Sequence, residues 1–288
     1  MSDPALSPPR PALRSATSRA ADSFGILLRR WRQARGSSQL SLALTCETSQ
    51  RHISFLESGR ARPSRGMVLN LAGALGLPLR HQDALLLAAG FAPVFGQRSP
   101  EAPEMRPIRA VLDRMLERQA PYPAVVVDRH YSLVQANDGA ARLIAFLLGG
   151  AGEATAPGAA APNLIRMLFS PPVDRLVENL PELALWTVRR LRAEAVTEDP
   201  LATDPEPLRS LRAHPAIAAA LAATAIPPAE DGPALPALTV RFRRDGVRLS
   251  LLTVIASLGT PLDVGLQDLR IELFFPADAA TDAWFRDG

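Results

Sequence analysis

The stretch at residues 47 to 64, ETSQRHISFLESGRARPS, holds residue types that can recognise nucleic-acid bases. Its apolar residues Ile53 and Leu56 are three apart, a spacing typical of one buried helix face. The side chains that such a helix turns outward are Gln50, Arg51, Ser54 and Phe55. Gln and Arg make bidentate contacts with adenine and guanine edges, and an aromatic ring can contact the thymine methyl group. The stretch predicts a helix that contacts bases in the DNA major groove.

Residues on either side of this helix are suited to contacts with phosphate. Ser38 and Ser49 each precede a predicted helix, and the N–H groups at a helix start attract anions. Arg60, Arg62 and Arg65 follow the helix, and we expect them to contact the DNA backbone. The alternative for these arginines is an ordinary solvated face.

The charge of the chain is unevenly distributed. Residues 1–100 carry 13 Arg against five acidic residues, a net charge of +8. Residues 101–288 carry 19 Arg against 24 acidic residues, a net charge of −5. A basic block followed by an acidic one predicts that only the first part of the chain meets a polyanion.

Five short helices are predicted between Phe24 and Phe91 to position these side chains. They are FGILLRRWRQAR, SQLSLALTC, the stretch described above, SRGMVLNLAGAL and RHQDALLLAAG. Each is short and apolar on one side, so each is stable only when packed against the others. We therefore predict a disordered basic tail over 1–22, an all-α five-helix domain over 23–92 and a linker over 93–104.

The run SQLSLALTCETSQRHISFLESGRARPS resembles the helix-turn-helix of the phage-repressor-like, or xenobiotic response element (XRE), family of regulators. The resemblance covers residues 24 to 75 and implies a helix-turn-helix DNA-binding domain. It implies that Gln39 contacts phosphate. It also implies base contacts from Gln50, Arg51, Ser54 and Phe55, although Phe55 has the alternative of packing against the fourth helix.

The same resemblance pairs Arg32 of the first helix with Glu57 of the third. Elementary electrostatics supports this structural ion pair, because a Glu near a helix C-terminus opposes the helix dipole and needs a compensating cation. The family usually has Gly in the inter-helix turn where this chain has Glu47. We therefore expect either a different turn or a left-handed residue at a cost in free energy.

Residues 105–288 predict an α+β domain. Two strand patterns flank a turn at 128–129, and two more flank Asp245-Gly246, a strong hairpin signal. LRIELFFP is predicted as the last strand, followed by a helix capped by Asp278 or Thr281. With the helical patterns between them, these elements predict an antiparallel sheet of about five strands.

No catalytic or metal-binding arrangement is found in the sequence. It has no GxSxG motif, no Gly-rich phosphate loop and no HExxH motif. His52, His81, His130 and His214 lack metal-ligand spacing, and the single cysteine, Cys46, is expected in a helical core. A hydrolase or transferase tethered to DNA would need a paired nucleophile and base. We therefore expect no enzymatic activity and no metal.

Aromatic residues in the second half are candidates for lining a ligand cavity. They are Tyr122, Tyr131, Phe169, Trp186, Phe242 and Phe274. A half-buried sheet roofed by helices can enclose a small apolar molecule. The alternative is that the same side chains fill a solid core.

Residues 105 to 285 resemble the C-terminal domain of regulators related to MmyB. The resemblance rests on YPAVVVDRHYSLVQANDGAARLI, NLIRMLF and GTPLDVGLQDLRIELFFPADAAT. It implies a PAS-like fold with an antiparallel sheet, used for ligand binding and dimerisation over 105–288. Fatty-acid-like molecules are the ligands that the resemblance implies.

These observations predict a dimeric, sequence-specific regulator of transcription. It would bind an inverted-repeat operator in double-stranded DNA and respond to a small apolar, fatty-acid-like effector, with no other cofactor. In one alternative the C-terminal domain only dimerises. In another it is a PAS-like haem sensor with His130 or His214 as axial ligand.

The sequence also bears on the cellular compartment. The first 20 residues lack the apolar core of a signal peptide, and no window of 18 apolar residues could span a membrane. A single cysteine excludes a disulfide framework. We predict a cytoplasmic protein without membrane contact.

Overall fold

The computed structural model of the chain describes residues 15–96, 98, 102–150, 161–198, 205–223, 238–259 and 261–287. The chain divides into two compact units, Met1–Phe95 and Gly96–Gly288, and each has its own hydrophobic core. The predicted linker over 93–104 contains this division, and residues 97 and 99–101 of it lie outside the described residues.

The described part of the predicted linker is held by one unit or the other. The backbone N–H groups of Val94 and Phe95 donate to Asp83 Oδ1 in the first unit, at 2.7 and 3.2 Å. In the second unit, the Arg98 guanidinium donates to Asp263 Oδ2 at 3.0 Å. Val94, Phe95 and Arg98, which the sequence assigns to a linker, are therefore hydrogen-bonded within one unit or the other.

The first unit consists of five helices, as predicted. They are α1 (Ser15–Ala34), α2 (Gln39–Thr45), α3 (Gln50–Glu57), α4 (Arg65–Ala74) and α5 (Leu79–Ala88). The side chains of Ser38, Ser49 and Ser64 cap α2, α3 and α4 by accepting backbone N–H groups. The core of the unit is formed by residues that include Phe24, Leu28, Trp31, Leu42, Ile53, Leu56, Leu71 and Leu86.

The prediction of a disordered tail over 1–22 is wrong for residues 15–22, which belong to α1. After Pro11 the sequence has no Pro or Gly until Gly25, and its Ala and Arg residues favour a helix. The helix of the first core residues therefore extends towards the N-terminus. Residues 1–14 lie outside the described part of the chain.

The second unit contains eight α-helices and five strands in its described part. The helices are α6 (Arg106–Gln119), α7 (Asp138–Leu148), α8 (Leu164–Leu168), α9 (Leu180–Glu198), α10 (Glu206–Leu211), α11 (Pro215–Ala222), α12 (Val264–Gln267) and α13 (Ala279–Arg286). The strands are β1 (Ala124–Val127), β2 (Leu133–Ala136), β3 (Thr239–Arg244), β4 (Val247–Ser257) and β5 (Arg270–Pro276). Two 3-10 turns lie at Pro103–Met105 and Val173–Leu176.

The strands form one antiparallel sheet in the order β2-β1-β5-β4-β3, which confirms the predicted α+β PAS-like fold. The β3–β4 hairpin turns at Asp245 and Gly246, both with positive φ, as the sequence predicts. Asp278 caps α13, since its Oδ1 accepts the Thr281 N–H at 2.7 Å. The low-complexity loop predicted over 149–162 lies mostly outside the described residues, which resume at 161.

The two faces of the sheet pack against different helices. On one face, Val126 and Ile271 pack with Leu112 and Leu116 of α6. On the other face, strand side chains such as Phe242 share a larger core with α7, α8, α9, α10, α11 and α13. The second face therefore encloses the larger interior volume of the unit.

Neither a membrane span nor a metal cluster is present in the described part of the chain. No helix there is long and apolar enough to cross a bilayer. The same residues hold no group of three or more His, Cys, Asp and Glu side chains arranged for a metal ion.

A close approach between α1 and α3 gives a test of the first unit. A Cβ atom on Gly25 would lie 2.6 Å from the carbonyl oxygens of Leu56 and Glu57, whereas a Cβ atom on Gly73 of α4 would have nothing within 4 Å. Gly25→Ala should therefore lower the stability of this unit by about 1–3 kcal/mol, because backbone must move. Gly73→Ala, the matched control, should raise it by up to about 1 kcal/mol through helix propensity.

Differential scanning calorimetry of the full chain would measure both glycine variants. We expect a lower unfolding temperature for Gly25→Ala and an equal or higher one for Gly73→Ala. Equal shifts in the two variants would contradict the close α1–α3 contact.

Candidate nucleic-acid interface and ligand cavity

The turn between α2 and α3 uses left-handed backbone at a non-glycine residue. Glu47 has φ 51°, a conformation that costs roughly 1–2 kcal/mol for an L-residue with a side chain. The next residue, Thr48, donates its N–H to the Ala43 carbonyl at 2.9 Å and so closes the turn. Of the two outcomes expected at this position, the chain adopts the left-handed one.

Helix α3 is seated on the bundle by two side chains. Ile53 and Leu56 are both fully buried, in a core that also contains Leu42, Ala43 and Cys46 of the α2 segment. This is the arrangement that the spacing of apolar residues predicts. Because only two of its eight residues are buried, most of α3 remains available to a partner.

An ion pair fixes the C-terminal end of α3 to α1. Arg32 Nε lies 2.5 Å from Glu57 Oε1, and Arg32 Nη2 lies 3.0 Å from Glu57 Oε2. The pair is largely buried, and Arg32 also donates to the Ser37 carbonyl at 2.8 Å. The Glu57 carboxylate accepts a third bond, from Gln39 Nε2 at 2.8 Å. This bidentate geometry compensates the acid at the end of the helix.

The side chains predicted to contact bases lie on the outer face of α3. Gln50 and Arg51 are exposed, and Ser54 and Phe55 are half-buried. The Arg51 guanidinium lies over the Phe55 ring, 5.1 Å from its centroid. Phe55 is not part of the hydrophobic core of the unit. The cation–π contact holds Arg51 along the helix without using its hydrogen-bond donors on a protein acceptor.

The side chains predicted to contact phosphate lie at the two helix starts and after α3. Ser38 Oγ accepts the Ser41 N–H at 3.0 Å, and Ser49 Oγ accepts the His52 N–H at 3.1 Å. Each cap leaves its hydroxyl hydrogen able to donate. Arg60, Arg62 and Arg65 are exposed. Gln39 differs from the expectation, because one of its amide hydrogens is bonded to Glu57, so only the other can reach a phosphate.

In the second unit, the sheet face that packs against α7, α8, α9, α10, α11 and α13 lines a cavity of about 100 Å³. Most of its wall is apolar, from residues that include Val125, Ala140, Leu143, Leu147, Ile165, Met167, Leu183, Val240, Phe242, Leu251 and Phe274. A cavity of roughly 10–15 Å³ on this measure already holds one water, so the space suits a small organic group. The interior is therefore not the solid core of the alternative prediction.

Charged side chains interrupt this apolar wall at one place. Arg190 of α9 and Glu272 of β5 line the cavity, with Arg190 Nη2 2.9 Å from Glu272 Oε1. Tyr131 also lines it, and its hydroxyl donates to Glu194 at 2.7 Å. Arg270 Nη2 lies 3.5 Å from Glu194 Oε2. We call Tyr131, Arg190, Glu194, Arg270 and Glu272 the charged cluster.

Burial changes the acid–base properties of the charged cluster. Burial raises the pKa of the Glu272 carboxyl above its ordinary value, and the Arg190 guanidinium opposes this rise. Burial likewise raises the pKa of the Tyr131 hydroxyl, so this group is neutral at physiological pH. Burial next to the apolar cavity thus disfavours the ionised form of the Glu272 carboxyl group.

Comparison with known proteins assigns the second unit. Residues 108–287 match the model of the MmyB-like transcription regulator ligand binding domain. The chain belongs to this family of MmyB-like transcription regulators. Residues 28–82 match the model of a helix-turn-helix domain. The chain is thus a DNA-binding transcription regulator with a ligand-binding domain.

Solved structures provide a further comparison. Two crystal structures of the clp gene regulator ClgR from Corynebacterium glutamicum are similar to this MmyB-like regulator, at 27% and 24% sequence identity. The matches cover 25% and 35% of this chain and 88% and 95% of those chains, each with a TM-score of 0.22. No curated protein matches the chain.

Three of the six aromatic residues predicted for the pocket of this MmyB-like domain line the cavity, namely Tyr131, Phe242 and Phe274. The prediction is wrong for Tyr122, Phe169 and Trp186. The Tyr122 hydroxyl bonds instead to Asp282 and Arg286 of α13. Phe169 packs its ring on His214, and Trp186 is 41% exposed on α9. Residue type alone does not say which face of an element a ring occupies.

The charged cluster is the part of the site that the sequence analysis missed. One signal was available, because Glu272 is the only acid in the apolar strand RIELFFP, and it lies two residues before Phe274, on the same face of the strand. A charge at an inward position of a strand needs a buried partner. The partner itself, Arg190, is 82 residues away in sequence, and nothing local points to it.

Proposed function

We propose that the chain is a sequence-specific transcription regulator that binds operator DNA as a homodimer through α2 and α3. The observation that carries this proposal is the outer face of α3, where Gln50 and Arg51 are exposed while Ile53 and Leu56 seat the helix. A helix held in this way can enter the major groove, with arginines beside it for the DNA backbone.

Dimerisation follows from the small reach of one helix. An eight-residue helix contacts few base pairs, and specificity in a genome requires more than one such site. Two-fold symmetry would place two α3 helices about 34 Å apart, one turn of duplex, so the operator would be an inverted repeat. Affinity should fall steeply with salt, because phosphate contacts release counterions.

The second part of the proposal is that the C-terminal unit senses a small apolar, fatty-acid-like effector. The cavity supports it, because its described lining residues are mostly apolar and carry charge in one region, and such pockets hold an apolar body and orient one polar head. This favours ligand sensing over a domain that only dimerises. It also disfavours haem, because neither His130 nor His214 lines the cavity, and they lie beside Glu206 and Asp174.

Arg51 and Arg62 form a matched pair for testing DNA recognition. Arg51→Ala should weaken operator binding by about 1–3 kcal/mol and relax the preference at one base position, because a base contact is lost. Arg62→Ala should weaken binding to all sequences alike and reduce the salt slope by about 1. Fluorescence anisotropy with the operator and its single-base variants would measure both. A loss for Arg51→Ala that is equal on all sequences would contradict its contact with a base.

Ala140 and Ala141 form a matched pair for testing the cavity. Ala140 lines the cavity from α7, and Ala141 is exposed on the same helix. Native mass spectrometry of the purified full chain should detect a bound small-molecule mass in the wild type and in Ala141→Leu. Ala140→Leu should lose it, because the added carbon atoms occupy the cavity. A wild-type protein that has no bound mass and takes up no added 1-octanol would contradict ligand sensing.

A further inference from the structure

The charged cluster has no surplus positive charge to offer an anion. Among the described residues that form it, Arg190 and Arg270 balance Glu194 and Glu272, and the Tyr131 hydroxyl is neutral. The other described elements around the cavity face it with uncharged side chains, including Leu143 on α7, Ile165 on α8 and Thr253 on β4. A carboxylate head would therefore enter a region of zero net charge.

Because of the position of Glu272, the zero net charge of the cluster opposes the entry of a carboxylate. Its side chain is 7% exposed and lines the cavity, and its carboxylate already bonds to Arg190, the cation that also lines the cavity. A ligand carboxylate that approached Arg190 would meet the Glu272 carboxylate at close range. Two like charges in a poorly solvated site are not both retained, and one of them takes up a proton.

Arg190 cannot turn away from Glu272 at little cost, because other members of the cluster hold it. Arg190 Nε lies 3.5 Å from Glu194 Oε1, and its guanidinium lies over the Tyr131 ring, 5.0 Å from the centroid. Tyr131 itself has φ 66°, and its backbone bonds to Asp128 and Leu164 fix that left-handed conformation. The cluster is therefore preorganised and would not rearrange freely around an anion.

We infer that a carboxylic-acid ligand enters the cavity together with one proton, carried on its own head or on Glu272, whereas a ligand with a neutral hydroxyl head enters without one. The inference rests on the proposed ligand-sensing function. The complex then holds one more proton than the free protein and the free carboxylate together. Glu272 is the specificity-determining residue, because removing its charge leaves the cluster with a net positive charge.

Isothermal titration calorimetry of the full chain with 1-octanol and octanoate would test this inference. Between about pH 6 and about pH 8 octanoate is ionised in solution. Its affinity for the wild type should fall about tenfold per pH unit, as expected when one proton is taken up. The affinity of 1-octanol should be independent of pH. In Glu272→Gln the affinity of octanoate should lose its pH dependence.

Glu178→Gln is the control, because Glu178 pairs with Arg248 at 3.0 Å away from the cavity lining, so this variant should keep the wild-type pH slope. Two results would overturn the inference about the proton but leave ligand sensing intact. They are an octanoate affinity that is independent of pH in the wild type, and a pH dependence in Glu272→Gln equal to that of the wild type. If neither 1-octanol nor octanoate binds the wild type at any pH, both the inference and the proposed ligand sensing are contradicted. If Glu272→Gln does not fold, the pH dependence of octanoate affinity in the wild type tests the inference by itself.

Discussion

The buried ion pair of Arg32 and Glu57 is the interaction on which the DNA-binding unit depends. An eight-residue helix is too short to be stable by itself, and α3 buries only Ile53 and Leu56. The ion pair fixes the C-terminal end of α3 to α1, and the Ser49 side chain caps its start by accepting the His52 N–H. Because so few side chains seat α3, its outer face can be polar and still keep a defined orientation.

The same pair connects the two helices of the motif. Gln39 at the start of α2 bonds to the Glu57 carboxylate, so the start of α2 and the C-terminal end of α3 share one anchor on α1. A buried charge pair is costly to desolvate and stabilises a fold only when its geometry is good. Here the bidentate contact fulfils that condition, and its main consequence is a specific arrangement of helices.

In the second unit, the equivalent constraint is the charged cluster beside an apolar cavity. The antiparallel sheet and the helices that cover one of its faces enclose a cavity. Arg190 and Glu272 are the charged side chains in the described, mostly apolar lining of that cavity. Arg190 and Glu272 are paired with each other, at 2.9 Å. A ligand head group placed here would meet charges that are already balanced.

Local sequence signals predicted most of the fold. Serine caps, the Asp245-Gly246 hairpin and the spacing of Ile53 and Leu56 each depend on residues a few positions apart. The start of α1 was missed because the stretch before Phe24 shows no amphipathic pattern, only the absence of breakers.

The cavity and its charged cluster were less predictable, because they depend on contacts between distant residues. Tyr131 and Glu194 are 63 positions apart, and Arg190 and Glu272 are 82 apart. Tyr122, Phe169 and Trp186 were assigned to the pocket by residue type, but the fold directs them elsewhere. Periodicity gives the buried face of an element, and the partner across that face is decided by tertiary packing.

Selection of binding sites from random duplex DNA by the full chain would measure whether a dimer recognises its operator through α3. A dimer that contacts its operator through α3 should enrich an inverted repeat whose half-site centres are about one helical turn, roughly 10 base pairs, apart. Each half-site should contain the base positions that α3 contacts. Enrichment of a single half-site, or no enrichment of any sequence, would contradict a dimeric regulator that recognises its operator through α3.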